Sequence, residues 1–199
     1  MTGEITHGPR DRAQIALTFH GQGDSAVVHQ LLDRLAAAHA PVTVLAVGAW
    51  LAAQPELGRR IVAAGHELGN HTQHHADIKR MNADAAYAEV ATCATTLRRV
   101  TGSIGRWFRP SQTPHATATI KAAAARAGYP VCLSYDVDSL DYTDPGADAI
   151  VATTMAAVRP GSIVSLHFGH AGTVAAMPTL LAALNRRGLT PVTMTDLMT

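Results

Sequence analysis

The chain has 199 residues, which is enough for one domain to bury a core of its own. Hydrophobic residues make up 47% of the chain and the mean hydropathy is +0.08, so disorder is excluded as its main state. Lys and Arg number 16 against 15 Asp and Glu, and a net charge of +1 gives no field that would favour nucleic acid as a partner.

Short apolar runs alternate with longer segments of helical periodicity along the whole chain. Strands are predicted at 15–19, 42–47, 67–70, 107–108, 131–134, 162–166 and 191–194. Helices are predicted at 25–39, after the second strand as far as 64, and at 82–100, 116–127, 148–158 and 173–187. Such alternation implies parallel strands joined by helical crossovers. About seven strands favour an α/β fold of the (β/α) barrel type over a doubly wound sheet.

We predict one domain over residues 15–199, preceded by an N-terminal extension over residues 1–14. The first ten residues have no apolar core of a signal peptide, so the chain as written is expected in the cytoplasm; a trimmed form of an exported protein would look the same. No apolar run approaches the roughly 18 residues of a membrane span. Cys93 and Cys132 are predicted to be buried small hydrophobes, with one bridge between them as the alternative.

Histidine is the unusual residue of this composition, with 11 copies in a chain poor in other ionisable groups. Polar groups follow five of the predicted strands, at the strand ends where barrels of this kind carry their chemistry. They are found at 20–24, 71–75, 109–110, 136–142 and at His167. No glycine-rich phosphate-binding motif follows any strand, which argues against a nucleotide site. The pattern instead predicts one site built from several strand ends.

His71 and His75 are four residues apart, a spacing that puts both rings on one side of a helical turn. Two histidines in this arrangement can reach one metal ion, and a third, oxygen ligand would complete a catalytic site with an open water position. Asp24 is a candidate for that ligand because its loop follows a neighbouring strand.

Two further residues have a catalytic interpretation beside a more ordinary one. Arg109 precedes a proline and could be a surface residue, or it could orient an Asp through a bidentate pair. His167 follows the apolar run 163–166 and could be a satisfied core residue. A nearby Asp would instead keep it protonated as a general acid.

Five motifs in this order resemble those of the polysaccharide deacetylases, the NodB homology domains of carbohydrate esterase family 4. The motifs are Thr18-Phe19, the stretch from Gly65 to His75, Phe108-Arg109-Pro110, the segment 138–142 and the segment 162–167. The resemblance covers roughly residues 15–196, and the stretch Gly65-His66-Glu67-Leu68-Gly69-Asn70-His71-Thr72 is its most specific part.

The resemblance implies a distorted (β/α) barrel and a metal-dependent removal of acetyl groups from sugars. In the family an Asp and two His hold a divalent ion, usually zinc and sometimes cobalt or another transition metal. The matching positions make His71 and His75 metal ligands and Thr72 a loop-tightening hydroxyl. They make Arg109 the tether of the catalytic base and His167 the acid. Asp141, with Asp138 as second choice, tunes that acid, while Leu166 and Tyr142 line the substrate.

The first motif departs from the family pattern, which has two adjacent aspartates, base then ligand, where this chain has His20 and Gly21. In one solution Asp24 loops back as the third ligand and His20 is the base, and this is the arrangement we expect. In the other, His20 is the third ligand and Asp24 the base. A second departure replaces the family's proline and aromatic with Ser111 and Gln112, where the backbone N–H of Gln112 could stabilise an oxyanion.

The expected function is therefore metal-dependent deacetylation of a glycan such as peptidoglycan, chitin oligomers or acetylated xylan. Two rival interpretations stay open: a metal-free hydrolase of a non-sugar amide with the same barrel, and a glycan-binding relative without turnover. The resemblance implies a secreted or cell-envelope protein. The other histidines are expected to be structural (His66), near the mouth of the site (His74, His115 and His170) or ordinary surface and packing residues (His7, His29 and His39).

Overall fold

The computed structural model describes residues 3–199, which contain eight β-strands, eight α-helices and two short 3-10 turns. The strands are β1 (Gly3–Ile5), β2 (Gln14–Gly21), β3 (Thr43–Ala46), β4 (Glu67–Asn70), β5 (Val131–Leu133), β6 (Val137–Asp138), β7 (Ile163–His167) and β8 (Thr190–Val192). The helices are α1 (Ser25–Ala37), α2 (Gly48–Ala53), α3 (Pro55–Ala63), α4 (Ala83–Thr101), α5 (Ala118–Arg126), α6 (Ala147–Ala157), α7 (Ala171–Arg186) and α8 (Met194–Leu197). The 3-10 turns are Ile78–Arg80 and Asp141–Thr143.

All strand pairs are parallel, as the alternation of strands and helices predicted. The main sheet has the order β4-β3-β2-β7-β6, with β8 added beside the first half of β2. Beyond β4, Phe108 bridges to Asn70 on one side and to Cys132 of β5 on the other, and β1 pairs with β5. The carboxyl ends of these strands therefore meet on one side of the sheet, where the loops can form a common site.

The alternation of side chains along β2 separates a packing face from a functional face. Leu17 and Phe19 belong to the main core cluster, in which strand residues pack against the helices. Thr18 and His20 point to the other face, where Arg109 donates to the hydroxyl of Thr18 and Ser165 of β7 lies beside His20. The period of two along one strand thus decides which residues stabilise the fold and which reach the site.

Several predicted boundaries are corrected by the structure. Residues 3–14 are not an extension outside the domain, because β1 pairs with β5 and Arg10 forms an ion pair with Asp136. The first two residues of that predicted extension lie outside the described residues. The helix predicted to end at 64 is two helices, since Pro55 starts α3. Cys93 and Cys132 are free and buried, as expected of small hydrophobes.

Within residues 3–199, no helix combines the length and the apolar character that crossing a bilayer requires.

Gly21, at the end of β2, has no room for a side chain. A Cβ there would lie 2.7 Å from Cγ1 of Val44 and 3.0 Å from Cα of Ala46 on the neighbouring strand. We expect Gly21→Ala to lower the free energy of unfolding by about 1–3 kcal/mol because the paired strands must move apart. Thermal unfolding checks this, with a melting temperature lower by about 2–4 °C for each kcal/mol.

Gly3→Ala is the matched control for this substitution, since a Cβ at Gly3 meets nothing within 4 Å. Equal melting temperatures of the Gly21→Ala and Gly3→Ala variants would contradict the steric argument.

His66 is buried between α3 and β4, and neither of its ring nitrogens has a hydrogen-bond partner among residues 3–199. Burial lowers its pKa, so the folded protein keeps the ring neutral while the unfolded chain takes up a proton below about pH 6.5. Its contribution to stability is complete above that pH and is lost as the pH falls below it, by up to about 1.4 kcal/mol per pH unit.

Melting temperatures of wild type and His66→Leu between pH 7.5 and 5.5 test this expectation. The loss of stability in acid should be shallower for His66→Leu than for wild type. The loss of stability of His29→Gln, which alters an exposed histidine of α1, should equal that of wild type. Parallel curves for all three proteins would show that His66 does not titrate in this range.

Candidate active site

The loop after β4 is shaped by side-chain hydrogen bonds rather than by a helical turn. Thr72 and His75 both have left-handed backbones, with φ of 68° and 55°. The side-chain oxygen of Asn70 accepts the N–H of Thr72, and the hydroxyl of Thr72 donates to Ser111 Oγ at 3.0 Å. The prediction that Thr72 tightens this loop is confirmed, but the helical geometry predicted for His71 and His75 is wrong.

This loop brings His71 and His75 together with His20 from the end of β2. One ring nitrogen from each of the three residues lies within 4.8 Å of the others. The ring centroids of His71 lie 4.4 Å from His20 and 4.9 Å from His75. Within the described part of the chain this is the one group of His, Cys, Asp and Glu side chains close enough to hold a metal ion.

The donor atoms of this cluster suit a metal ion. His71 is fully buried, and its Nδ1 donates to the carbonyl of Arg109 at 2.9 Å. Its Nε2 therefore carries a lone pair, and this atom has no hydrogen-bond partner in the described structure. A second hydrogen bond that fixes the tautomer of a ligand histidine is the usual support of a metal site.

The electrostatics of the cluster also favour neutral, metal-binding imidazoles. Burial lowers the pKa of His20 and of His71 well below the usual value, and each is lowered further by neighbouring histidines and by Arg109. Burial lowers the pKa of His75 as well, with a smaller effect from His167. Three imidazoles that stay unprotonated at neutral pH are fit to bind a divalent ion.

Asp24 is not part of this cluster, which corrects the prediction that it is the third ligand with His20 as base. Asp24 is exposed and caps α1, where its Oδ1 accepts the N–H groups of Ala26 and Val27 at 2.8 and 3.4 Å. An Asp just before a helix commonly satisfies these free N–H groups. His20 lies where the second predicted arrangement puts the third metal ligand. That arrangement also makes Asp24 the base, which disagrees with the position of Asp24 at the start of α1.

Arg109 is fully buried but does not tether a carboxylate, which corrects another prediction. Its Nη2 donates to the hydroxyl of Thr18 and to the carbonyl of Ser134, at 2.8 and 2.9 Å. The ion pairs found among residues 3–199 do not include it. Its backbone carbonyl accepts the hydrogen bond from Nδ1 of His71, so the contribution of Arg109 to the cluster is to orient this ring.

His167, at the end of β7, lies beside the cluster and is held by Asp141. Nδ1 of His167 lies 2.7 Å from Oδ1 of Asp141. The ring centroids of His167 and His20 are 4.3 Å apart. The other carboxylate oxygen of Asp141 accepts the N–H of His167 and the hydroxyl of Thr173. Asp141, and not Asp138, is therefore the partner of His167.

Two cavities meet at these histidines. One of about 320 Å³ and one of about 470 Å³ share His20, His75 and His167 in their walls. The first is also lined by Gln112, Tyr135, Asp138 and Tyr142, among others, and the second by Gln22, Trp50 and His170. This size range is typical of ligand sites, and the shared wall makes the two cavities arms of one cleft.

The predicted substrate residues divide between the cleft and the core. Tyr142 is 48% exposed, and its ring lies 5.2 Å from that of His167. Gln112 lines the cleft with a left-handed backbone, and its side chain donates to the carbonyl of His75. The prediction for Leu166 is wrong, because it is fully buried in the core cluster and lines neither cavity.

The remaining histidines near the mouth are paired with acids, and one of them enters the cleft. His74 binds Glu89, His115 binds Glu4 and His170 binds Asp144. His170 lines the larger cavity, whereas His74 and His115 line neither.

Trp50, Tyr135 and Ser165 also line the cleft, although none of them was predicted as a site residue. Ser165 alternates with core residues on β7, and its hydroxyl lies 3.3 Å from Nε2 of His20. That alternation was a usable signal for its direction, but neither Trp50 nor Tyr135 stands in a pattern that points to the cleft.

Known proteins resemble this chain over nearly its whole length. Residues 7–132 match the family described as polysaccharide deacetylase. A chitooligosaccharide deacetylase of Bradyrhizobium sp. is 35% identical over 191 residues, which cover 87% of this chain and 85% of that protein. A peptidoglycan-N-acetylglucosamine deacetylase of Bacillus cereus is 29% identical over 208 residues, covering 99% and 94%. The crystal structure of the Bc1960 peptidoglycan N-acetylglucosamine deacetylase is similar with a TM-score of 0.92 at 25% identity, covering 98% of this chain and 92% of that one.

Proposed function

The chain belongs to the polysaccharide deacetylase family, and we propose that it releases acetate from N-acetylglucosamine units with a divalent ion bound by His20, His71 and His75. The family consists of metal-dependent deacetylases of glycans. The observation that carries the proposal is the convergence of three histidine nitrogens at the strand ends, beside the His167–Asp141 pair and inside the cleft.

The relatives support an N-acetylated substrate. The similar proteins are named for chitooligosaccharides and for peptidoglycan, and both polymers contain N-acetylglucosamine. The two arms of the cleft share His20, His75 and His167, so a sugar unit at the cluster has space for neighbouring units in both arms. An acetylated xylan, which would lose an ester-linked acetyl group, is the alternative substrate to exclude.

Zinc is the ion that we propose for the cluster. Three neutral imidazoles with a position left for water are a known catalytic zinc arrangement, and cobalt is the second ion to test. When bound, such an ion supplies a Lewis acid for the acetyl carbonyl and makes a nearby water easier to deprotonate.

The chain's own residues would then position and protonate the reacting groups. The Arg109 carbonyl keeps Nε2 of His71 directed to the ion by holding Nδ1–H. Asp141 likewise fixes Nδ1 of His167, so that Nε2 faces the cleft and can donate a proton to the leaving amine. The backbone N–H of Gln112 is the proposed donor to the oxyanion, and Tyr142 covers the sugar from the other side.

Acetate release tests this function directly. Purified protein loaded with zinc should release acetate from chitin oligomers or peptidoglycan, lose the activity with a chelator and regain it when zinc or cobalt is restored. Activity on an amide that is not a sugar, unaffected by the chelator, would favour the metal-free hydrolase. Glycan binding without acetate release under every metal condition would favour a binding protein and overturn the proposal.

A further inference from the structure

Hydrolysis requires a group that takes a proton from the attacking water, and the histidines of the cluster and Asp24 are engaged in other roles. His20 lies among the nitrogens of the metal cluster, and Asp24 is occupied with capping α1. His167 is held by Asp141 to face the leaving group. A carboxylate in the wall of the cleft is the side chain best suited to this task.

Most acidic groups near the cleft are already engaged. Both oxygens of Asp141 accept hydrogen bonds from His167 or Thr173, and its side chain is fully buried. Asp144 pairs with His170, and Asp136 pairs with Arg10 at the far end of β7. Among the described residues, Asp138 is the one Asp or Glu that lines either arm of the cleft.

The strand register explains why Asp138 reaches the cleft. Asp138 of β6 is paired with Ser165 of β7, and Ser165 is paired with Thr18 of β2. Register partners on neighbouring strands point to the same face of a sheet. Asp138 therefore shares a layer with Thr18 and Ser165, immediately below the layer of His20 and His167.

The carboxylate of Asp138 is held in place at the wall of the cavity. Its Oδ1 accepts the N–H of Leu140 at 3.0 Å, which fixes the turn where Leu140 has a left-handed backbone. The side chain is half-buried and lines the cavity beside Tyr135, whose pKa is raised by burial and also by the charge of Asp138 and a hydrogen bond to it.

Arg109 supplies a positive charge behind this carboxylate. Burial lowers the pKa of Arg109 to about 9, and the charges of Tyr135 and Asp138 partly oppose that effect. The guanidinium has two buried nitrogens, Nε and Nη1, without a hydrogen-bond partner in the described structure. The guanidinium of Arg109 is therefore the buried cation of this wall of the cleft.

We propose that Asp138 is the general base of the reaction, an inference that rests on the deacetylase function proposed above. An oxygen of Asp138 takes a proton from water as the water oxygen bonds to the acetyl carbon and the carbonyl electron pair moves onto its oxygen. When that pair returns, the C–N bond breaks and the nitrogen takes a proton from Nε2 of His167. The products are acetate and the free amine, and proton exchange with solvent restores Asp138 and His167.

Asp138→Asn is the variant that tests the assignment. Asparagine keeps the acceptor for the N–H of Leu140 and the size of the side chain, but it cannot serve as the base. We expect kcat/KM for acetate release to fall by about 10²–10⁴-fold. Bound zinc, the affinity for a chitin oligomer and the melting temperature should all stay at their wild-type values. A shorter variant, Asp138→Ala, should regain activity when formate is added.

Asp148→Asn is the matched control, because Asp148 is an exposed acid in the first turn of α6 and lines neither cavity. It should keep full activity. An active wild type with Asp138→Asn within threefold of it would overturn the base assignment and leave the function intact. Loss of zinc or of stability in Asp138→Asn, without rescue of Asp138→Ala by formate, would also overturn it. A wild type without acetate release would overturn the function and the assignment together.

Discussion

Replacement of His71 by alanine is expected to remove the bound ion and to lower kcat/KM for acetate release by about 10³-fold or more. The ion's stabilisation of the transition state is worth several kcal/mol, and each 1.36 kcal/mol corresponds to a factor of ten. His71 has the largest effect because its Nε2 is buried and free for the ion while its Nδ1 is fixed by the Arg109 carbonyl.

Metal analysis and acetate release, measured on the same preparations, check this prediction. His29→Gln removes an exposed histidine of α1 and should keep both the ion and the activity. His71→Gln retains a polar side chain at the site, so it should fold like wild type and still lose the ion. Full activity of His71→Ala with no ion bound would contradict the three-histidine site.

Replacement of Asp141 by asparagine is expected to lower kcat by about 10²–10⁴-fold, the usual contribution of a general acid. The carboxylate holds Nδ1 of His167 at 2.7 Å and balances the charge of the protonated ring. An amide of the same size cannot balance that charge, so the charged ring that donates to the leaving amine would lose its support. Steady-state kinetics should place the change in kcat, with KM and bound metal near the wild-type values.

Asp141 also links this pair to the acid stability of the protein. Burial alone raises the pKa of Asp141, but the hydrogen bond and charge of His167 outweigh it and hold the pKa below the usual value. Its contribution to stability is therefore complete above about pH 4 and is lost as the pH falls through the lowered pKa.

The matched variant for Asp141→Asn is Thr173→Val, which removes one hydrogen bond to the same carboxylate and leaves the charge. It should lower kcat by about tenfold at most, in line with the loss of about 1 kcal/mol. Equal losses in both variants would show that Asp141 positions the loop and does not support proton transfer.

Local signals in the sequence were sufficient for most helices and strands. The β-branched and apolar run at β3 and the short run at β4 lie at or within one residue of their predicted positions. The helix predicted from 82 begins where Asn82 caps α4, with its side chain accepting the N–H of Ala85. These features depend on residues close in the chain, so the sequence carries them directly.

The prediction that Asp24 is a metal ligand was wrong because this residue caps α1. The residue stands directly before a predicted helix, and such a position commonly satisfies free N–H groups at the helix start. The cap and the metal ligand compete for the same carboxylate, and in the structure Asp24 caps α1. Leu166 was misplaced for a related reason, since it is the register partner of Phe19 and both belong to the core face.

The sequence by itself determined the alternation of strands and helices, the polar strand ends and the two histidines after β4. Only the tertiary structure decided that His20 joins them, that Asp141 holds His167 and that Asp138 lines the cleft. These placements depend on the register between strands far apart in the chain and on a left-handed loop fixed by Ser111. Spacing along the chain specifies the face of one element, but convergence of several faces is set by the packing of the whole sheet.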